Sequence, residues 1–163
     1  VGQYVRDMSF ENPEAPGSIL AGGASPTFNV AINVSVKKQS DDVYAVETPI
    51  NVKAERDGKV LFNIELIYGG LFRIQNVPDN QIAAVLMIEC PRLIFPFARQ
   101  TVAAVSQSGG FPPVMLEPVD FAAIYRQNLQ RMQAASKGGA PAEGEAAPAA
   151  ETEATADENK TVN

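Results

Sequence analysis

The chain contains no histidine, no tryptophan and a single cysteine in 163 residues. Without histidine there is no Ser-His-Asp or Cys-His arrangement, and the commonest general base at neutral pH is gone. Histidine-containing zinc sites are excluded too, and Cys90 alone builds neither a thiolate cluster nor an intrachain disulfide. Such cysteine usage suits a reducing compartment. Cys90 precedes Pro91 with no cationic pair beside it, so it reads as a buried structural thiol rather than a nucleophile. The pairs Gly22-Gly23, Gly69-Gly70 and Gly109-Gly110 match neither phosphate-cradling pattern, GxxxxGK[ST] or GxGxxG. Asp41-Asp42 reads as a turn former, not a metal site. No enzyme and no cofactor are expected.

Basic charge is also scarce. Net charge is −6, and its distribution is uneven. From residue 137 onward six carboxylates face Lys137 and Lys160, a balance of −4, which leaves −2 for the first 136 residues. Nothing resembles the basic footprint that nucleic-acid binding requires. No run approaches the roughly 20 apolar residues of a membrane span, and no basic stretch followed by an apolar core marks a secretory leader. Direct membrane insertion is therefore not expected.

What is present divides in two. Residues 1–136 carry enough large apolar side chains for one domain. Residues 137–163, rich in Ala, Glu and Pro, have almost none to offset the entropy of ordering, so a disordered acidic tail is expected there.

Period-two alternation dominates the first half of the domain. From Thr27 to Lys38, Phe28, Val30, Ile32, Val34 and Val36 share one side. Between Val43 and Glu55, Tyr44, Val46, Ile50 and Val52 oppose Glu47, Asn51, Lys53 and Glu55. Between Lys59 and Tyr68, Val60, Phe62, Ile64, Leu66 and Tyr68 oppose Asn63 and Glu65. Tyr4–Glu11 is a shorter strand with Met8 and Phe10 inward and Asp7, Ser9 and Glu11 outward. Asp57-Gly58 supplies a two-residue hairpin turn, and Gln39–Asp42 another. A four-stranded antiparallel sheet with one apolar and one polar face follows. Pro49 should sit at a bulge or on an edge, since it cannot donate to a ladder.

The period then changes. Asp79 or Asn80 can cap a helix through Ile82, Val85, Leu86 and Glu89. Pro91 and Pro96 predict that it kinks or breaks before resuming through Phe97, Val102 and Val105 to Ser108. A last helix spans about Asp120–Gln133, with a stripe of Phe121, Ile124, Tyr125, Leu129 and Met132. Strands first and helices later give an α+β fold. The Pro- and Gly-rich Asn12–Pro26 segment, too long for a hairpin, must cross over.

Four stretches carry a resemblance to a known family: YVRDMSFENPEAP (4–16), DDVYAV (41–46), YGGLFRI (68–74) and CPRLIFPFARQTVAAVSQSGGFPPVMLEPVDFAAIYRQNL (90–129). Together they resemble SecB, the bacterial export chaperone family, across roughly residues 4–134. The resemblance implies a cytoplasmic homotetramer built as a dimer of dimers. It implies ATP-independent holding of unfolded precursor proteins and their delivery to the SecA translocation motor. By position, Asp7, Glu11, Asn63 and Glu65 correspond to the family's SecA contacts, although the family pattern at Asn63 is apolar. Ile64, Leu66 and Tyr68 correspond to residues supporting assembly. Candidates for an apolar client groove are Ile19, Leu20, Phe28, Phe97, Phe111, Val114, Met115 and Leu116, since Met and aromatic side chains repack around varied partners. The alternatives are a SecB-like chaperone serving a toxin–antitoxin system and a plain oligomeric adaptor.

Overall fold

The structure, a computed structural model, describes residues 1–20 and 23–137. Of the tail expected over residues 137–163, Lys137 instead closes the last helix, and residues 138–163 lie outside the described residues. The α+β class holds, with an antiparallel sheet carrying helices on one face. Strand β1 (Gly2–Glu11) pairs with β5 (Lys59–Arg73), β5 with β4 (Val43–Arg56), and β4 with both β2 (Thr27–Ile32) and β3 (Ser35–Lys38).

The sheet therefore has five strands, not four, because the stretch expected as one strand from Thr27 to Lys38 is split. The cause lies across the ladder. The Pro49 carbonyl accepts the Asn33 amide at 3.0 Å, and in a strand a residue's N and O face the same neighbour. The proline nitrogen, which has no hydrogen, thus faces the lane of β2 and β3, and pairing stops at Ile32↔Ile50 and resumes at Ser35↔Glu47. Pro49 lies in the central strand, opposite Ile67 of β5. It occupies neither an edge nor a bulge; its neighbour absorbs the missing donor.

The hairpin between β4 and β5 turns at Asp57-Gly58, both with positive φ (51° and 74°), as a primed turn demands. The register confirms the two faces. Ile50↔Leu66, Val52↔Ile64 and Ala54↔Phe62 share the helix side, whereas Asn51↔Glu65 and Lys53↔Asn63 share the outer side. Phe62 anchors an aromatic cluster, with centroids 4.7 Å from Phe111, 5.7 Å from Phe10 and 6.3 Å from Phe28.

The expected broken helix is instead continuous from Asp79 to Ser108. It comprises α2 (Asp79–Ala84), a π turn (Val85–Glu89) and α3 (Cys90–Ser108). The π turn shifts the hydrogen-bond pairing just before Pro91, which falls in the first turn of α3, where an amide is dispensable. Pro96 does cost a donor inside the helix, about 3 kcal/mol. Burying Ile94, Phe95 and Val102 stabilises by roughly 1.5–3 kcal/mol each, so packing wins. No side chain caps α2: Pro78 holds that position and Asp79 sits in the first turn. The helix is long and apolar enough by composition to cross a membrane, but its apolar residues Ile94, Phe95, Ala98 and Val102 join the core with the sheet strands, and it carries Glu89, Arg92 and Arg99.

At its C-terminus, Phe111 N–H bonds Ser106 O and Gly110 N–H bonds Gln107 O, with Gly110 at φ 88°. This is a Schellman stop. The buried Ser106 hydroxyl accepts the Val114 amide at 2.9 Å and donates to Ala103 O at 3.0 Å, tying the extended 111–120 segment to α3. Helix α4 (Phe121–Lys137) then starts where expected, with Asp120 Oδ1 accepting the Ala123 amide at 3.0 Å.

Candidate functional site

The outer sheet face brings the four predicted polar contacts together. Register places Glu11 opposite Asn63, Ser9 opposite Glu65 and Asp7 opposite Ile67. Asp7, Glu11, Asn63 and Glu65 thus share one side of two paired strands, with Asp7, Glu11 and Glu65 exposed and Asn63 half-buried. Glu65 Oε1 accepts the amides of Asn51 and Asn63 at 3.4 Å each, which fixes its carboxylate without neutralising it. The patch is acidic and open to a basic partner.

Beside it lies a feature that alternation alone did not reveal. Arg6 is the extra residue of a bulge in β1 and forms an ion pair with Glu47. Tyr4 OH donates to the same carboxylate at 3.1 Å. The Tyr4 ring closes over Gly69, where a Cβ would come within 2.6 Å of it. Glu47 is thereby buried, at 5% exposure, on the nominally polar face. Burial and the adjacent carboxylate push the Tyr4 phenol above its ordinary range.

The helix side carries two apolar grooves. The first, about 750 Å³, runs between β1, the middle of β5 and α3, lined by Met8, Phe10, Tyr68, Phe97, Thr101 and Val105 down to Gly109. Phe10 packs so closely on the helix end that a Cβ at Gly109 would lie 2.1 Å from its ring. The second, about 470 Å³, lies between α3, the 111–120 segment and the start of α4, lined by Arg92, Phe95, Arg99, Met115, Val119 and Phe121.

The eight client candidates do not form one surface. Phe97 opens into the first groove and Met115, 60% exposed, into the second. Ile19 and Leu20 lie on a short helix, α1 (Gly17–Leu20), and both are exposed. The Ile19 side chain approaches Gly110, next to the end of the first groove. Phe28 and Phe111 surround Phe62, Val114 is half-buried, and Leu116 belongs to the core. Ile64 and Leu66, each 1% exposed, lie in the same core as Phe95 and Val102 of α3 and show no side-chain surface to a neighbouring subunit. Tyr68 is half-buried, and its hydroxyl donates to Gln3 Oε1 at 3.1 Å.

Cys90 is buried, and burial together with Glu89 raises its thiol to about 11. Burial and the upward shift both disfavour the thiolate that would act as a nucleophile. Among the described residues no group of His, Cys, Asp and Glu is arranged to hold a metal.

The family model described as SecB, preprotein translocase subunit SecB, matches residues 1–132. Protein-export protein SecB of Bradyrhizobium sp. strain BTAi1 is 50% identical over 138 residues, covering 85% of each chain. The protein of the same name from Bradyrhizobium diazoefficiens is 50% identical over 135 residues, covering 83% of this chain and 84% of that one. Among solved structures, a SecB-like chaperone of Mycobacterium tuberculosis, in complex with a peptide from the HigA1 antitoxin, superposes with a TM-score of 0.60 at 12% identity. That match covers 73% of this chain and 88% of the other, and at this identity it is a likeness of fold.

Proposed function

The chain belongs to the SecB family, a family of chaperones and not of enzymes, and from that premise we propose that it holds unfolded precursor proteins for export. Client segments lie along the two grooves, contacting Phe97 in one and Met115 in the other, with Ile19 and Leu20 extending the first. Several weak apolar contacts on one assembly give avidity without a deep pocket, and no nucleotide is needed to bind.

The assembly is a homotetramer, a dimer of dimers. Support comes from apolar surface left uncovered within one chain and outside both grooves: Val5 on β1 and Leu93 on α3 are exposed. A patch of this kind marks an interaction surface. Tyr68 borders it, and Ile64 and Leu66 act from beneath by fixing the sheet. Release is to the SecA motor, which docks on Asp7, Glu11, Asn63 and Glu65 in the cytoplasm.

The observation that carries this reading is the separation of the two surfaces, with carboxylates on the outer face and apolar grooves on the helix side. The toxin–antitoxin alternative rests on a likeness of fold at 12% identity, whereas relatives near 50% identity bear the export name. An aggregation assay with a slow-folding precursor, paired with a solution mass, tests the proposal. Suppression by a species of four chains is expected; a monomer that leaves aggregation unchanged defeats it, and a tetramer that does so reduces the protein to an adaptor.

A further inference from the structure

The two grooves differ in charge. No charged residue lines the first, whereas Arg92 and Arg99 line the second and no carboxylate does. Arg92 is shared with Glu89, at 3.1 Å to each carboxylate oxygen. Arg99 has no such relief: its Nε is buried and finds no hydrogen-bond partner among the described residues. The nearby Asp120 is engaged by Arg126 at 4.0 Å. A guanidinium held over an apolar floor of Phe95, Met115 and Phe121 favours a carboxylate-bearing chain with small apolar side chains, because a charge-assisted bond there is only partly screened by water.

The chain itself carries such a segment. Residues 138–163 hold six carboxylates against Lys160, and within them Ala146-Ala147-Pro148-Ala149-Ala150 is flanked by Glu143 and Glu145 on one side and Glu151 and Glu153 on the other. Reach is sufficient. Helix α4 begins at Phe121, in the groove wall, and its 17 residues span roughly 25 Å. A segment of 26 residues extends to about 85 Å, more than enough to return along α4.

We propose that residues 138–163 dock in the groove formed by α3, Met115 and Phe121, with their carboxylates on Arg99 and Arg92 and their Ala-Pro run on its apolar floor. The tether supplies an effective concentration in the millimolar range, so weak contacts are enough. The segment then acts as a resident competitor that an incoming chain must displace. That consequence rests on the holdase reading; the docking does not.

The test uses the full chain with Ala149→Cys carrying a nitroxide label, and isotope-labelled methionine methyl groups. Cys90, buried with its thiol at about 11, stays unlabelled. Met115 lines the second groove and Met8 the first, so one molecule contains both the probe and its control. The Met115 signal should weaken at least about twofold relative to the reduced label while Met8 is spared. It should recover in Arg92→Gln/Arg99→Gln and in about 1 M salt, where screening acts over roughly 3 Å. An unchanged signal from Met87, in the π turn, reports an intact fold in the double variant. Equal broadening of Met8 and Met115, no broadening of Met115, or broadening that survives salt overturns the proposal. No precursor enters the readout, so its outcome is separate from that of the chaperone assay.

Discussion

The two faces of the sheet come from the same strands, yet they answer to different physics. On the helix side, Val46, Ile50, Val52, Ala54, Phe62, Ile64 and Leu66 are nearly or fully buried, and each position is set by what packs above it. On the outer side, Asp7, Glu11 and Glu65 stay in water, with Glu65 steadied by Asn51 and Asn63. The first face determines whether the chain folds; the second is free to carry a charge pattern that the fold does not need. Glu47, a carboxylate on the outer face buried like a core residue, marks where the division fails.

The comparison breaks most visibly at Phe62. Phe62→Ala removes the ring at the centre of the cluster with Phe10, Phe28 and Phe111, and should cost about 3–5 kcal/mol. Urea unfolding checks this; a loss below about 1 kcal/mol would place the stability elsewhere.

Glu47 sharpens the exception. Glu47→Ala frees Tyr4 and the half-exposed Arg6 to return to water, so the expected loss is near 1 kcal/mol, with faster amide exchange concentrated in β1. No change in that exchange would mean the bulge holds without its ion pair.

Cys90 is silent at neutral pH, and its effect is confined to alkaline conditions. Its folded thiol is raised to about 11, above the unfolded value of roughly 8.5, so the fold favours the protonated form. That contribution is complete below about pH 8.5 and is lost as pH rises through 11. Native alkylation at pH 8 should be negligible and should appear only on unfolding. Rapid modification of the folded chain would contradict the buried assignment.

What the sequence disclosed was local. Alternation assigned both faces, Asp57-Gly58 located a hairpin and Asp120 the start of α4, because each depends on residues within a few positions. The rest depended on distant neighbours. Pro49 split a strand that lies 16 residues earlier in the chain at Asn33, through a donor it lacks. The long helix continued past Pro91 and Pro96 because the sheet beneath holds it. Glu47 was buried by Arg6 and Tyr4, more than forty residues away. The client candidates were chosen by residue type, and type alone could not tell that Leu116 turns into the core while Met115 turns out. One signal was available in the sequence: Arg92 and Arg99 are seven residues apart, two helical turns on α3.

The separation of the two faces is tested most directly by one double titration. Asp7→Asn/Glu11→Gln/Glu65→Gln is compared with the unaltered chain for binding to SecA and to an unfolded precursor. A fall of roughly tenfold or more in motor affinity, about 1.4 kcal/mol, with precursor affinity and the urea midpoint unchanged, is the predicted result. Unchanged motor binding, or an equal loss of both partners, would contradict it.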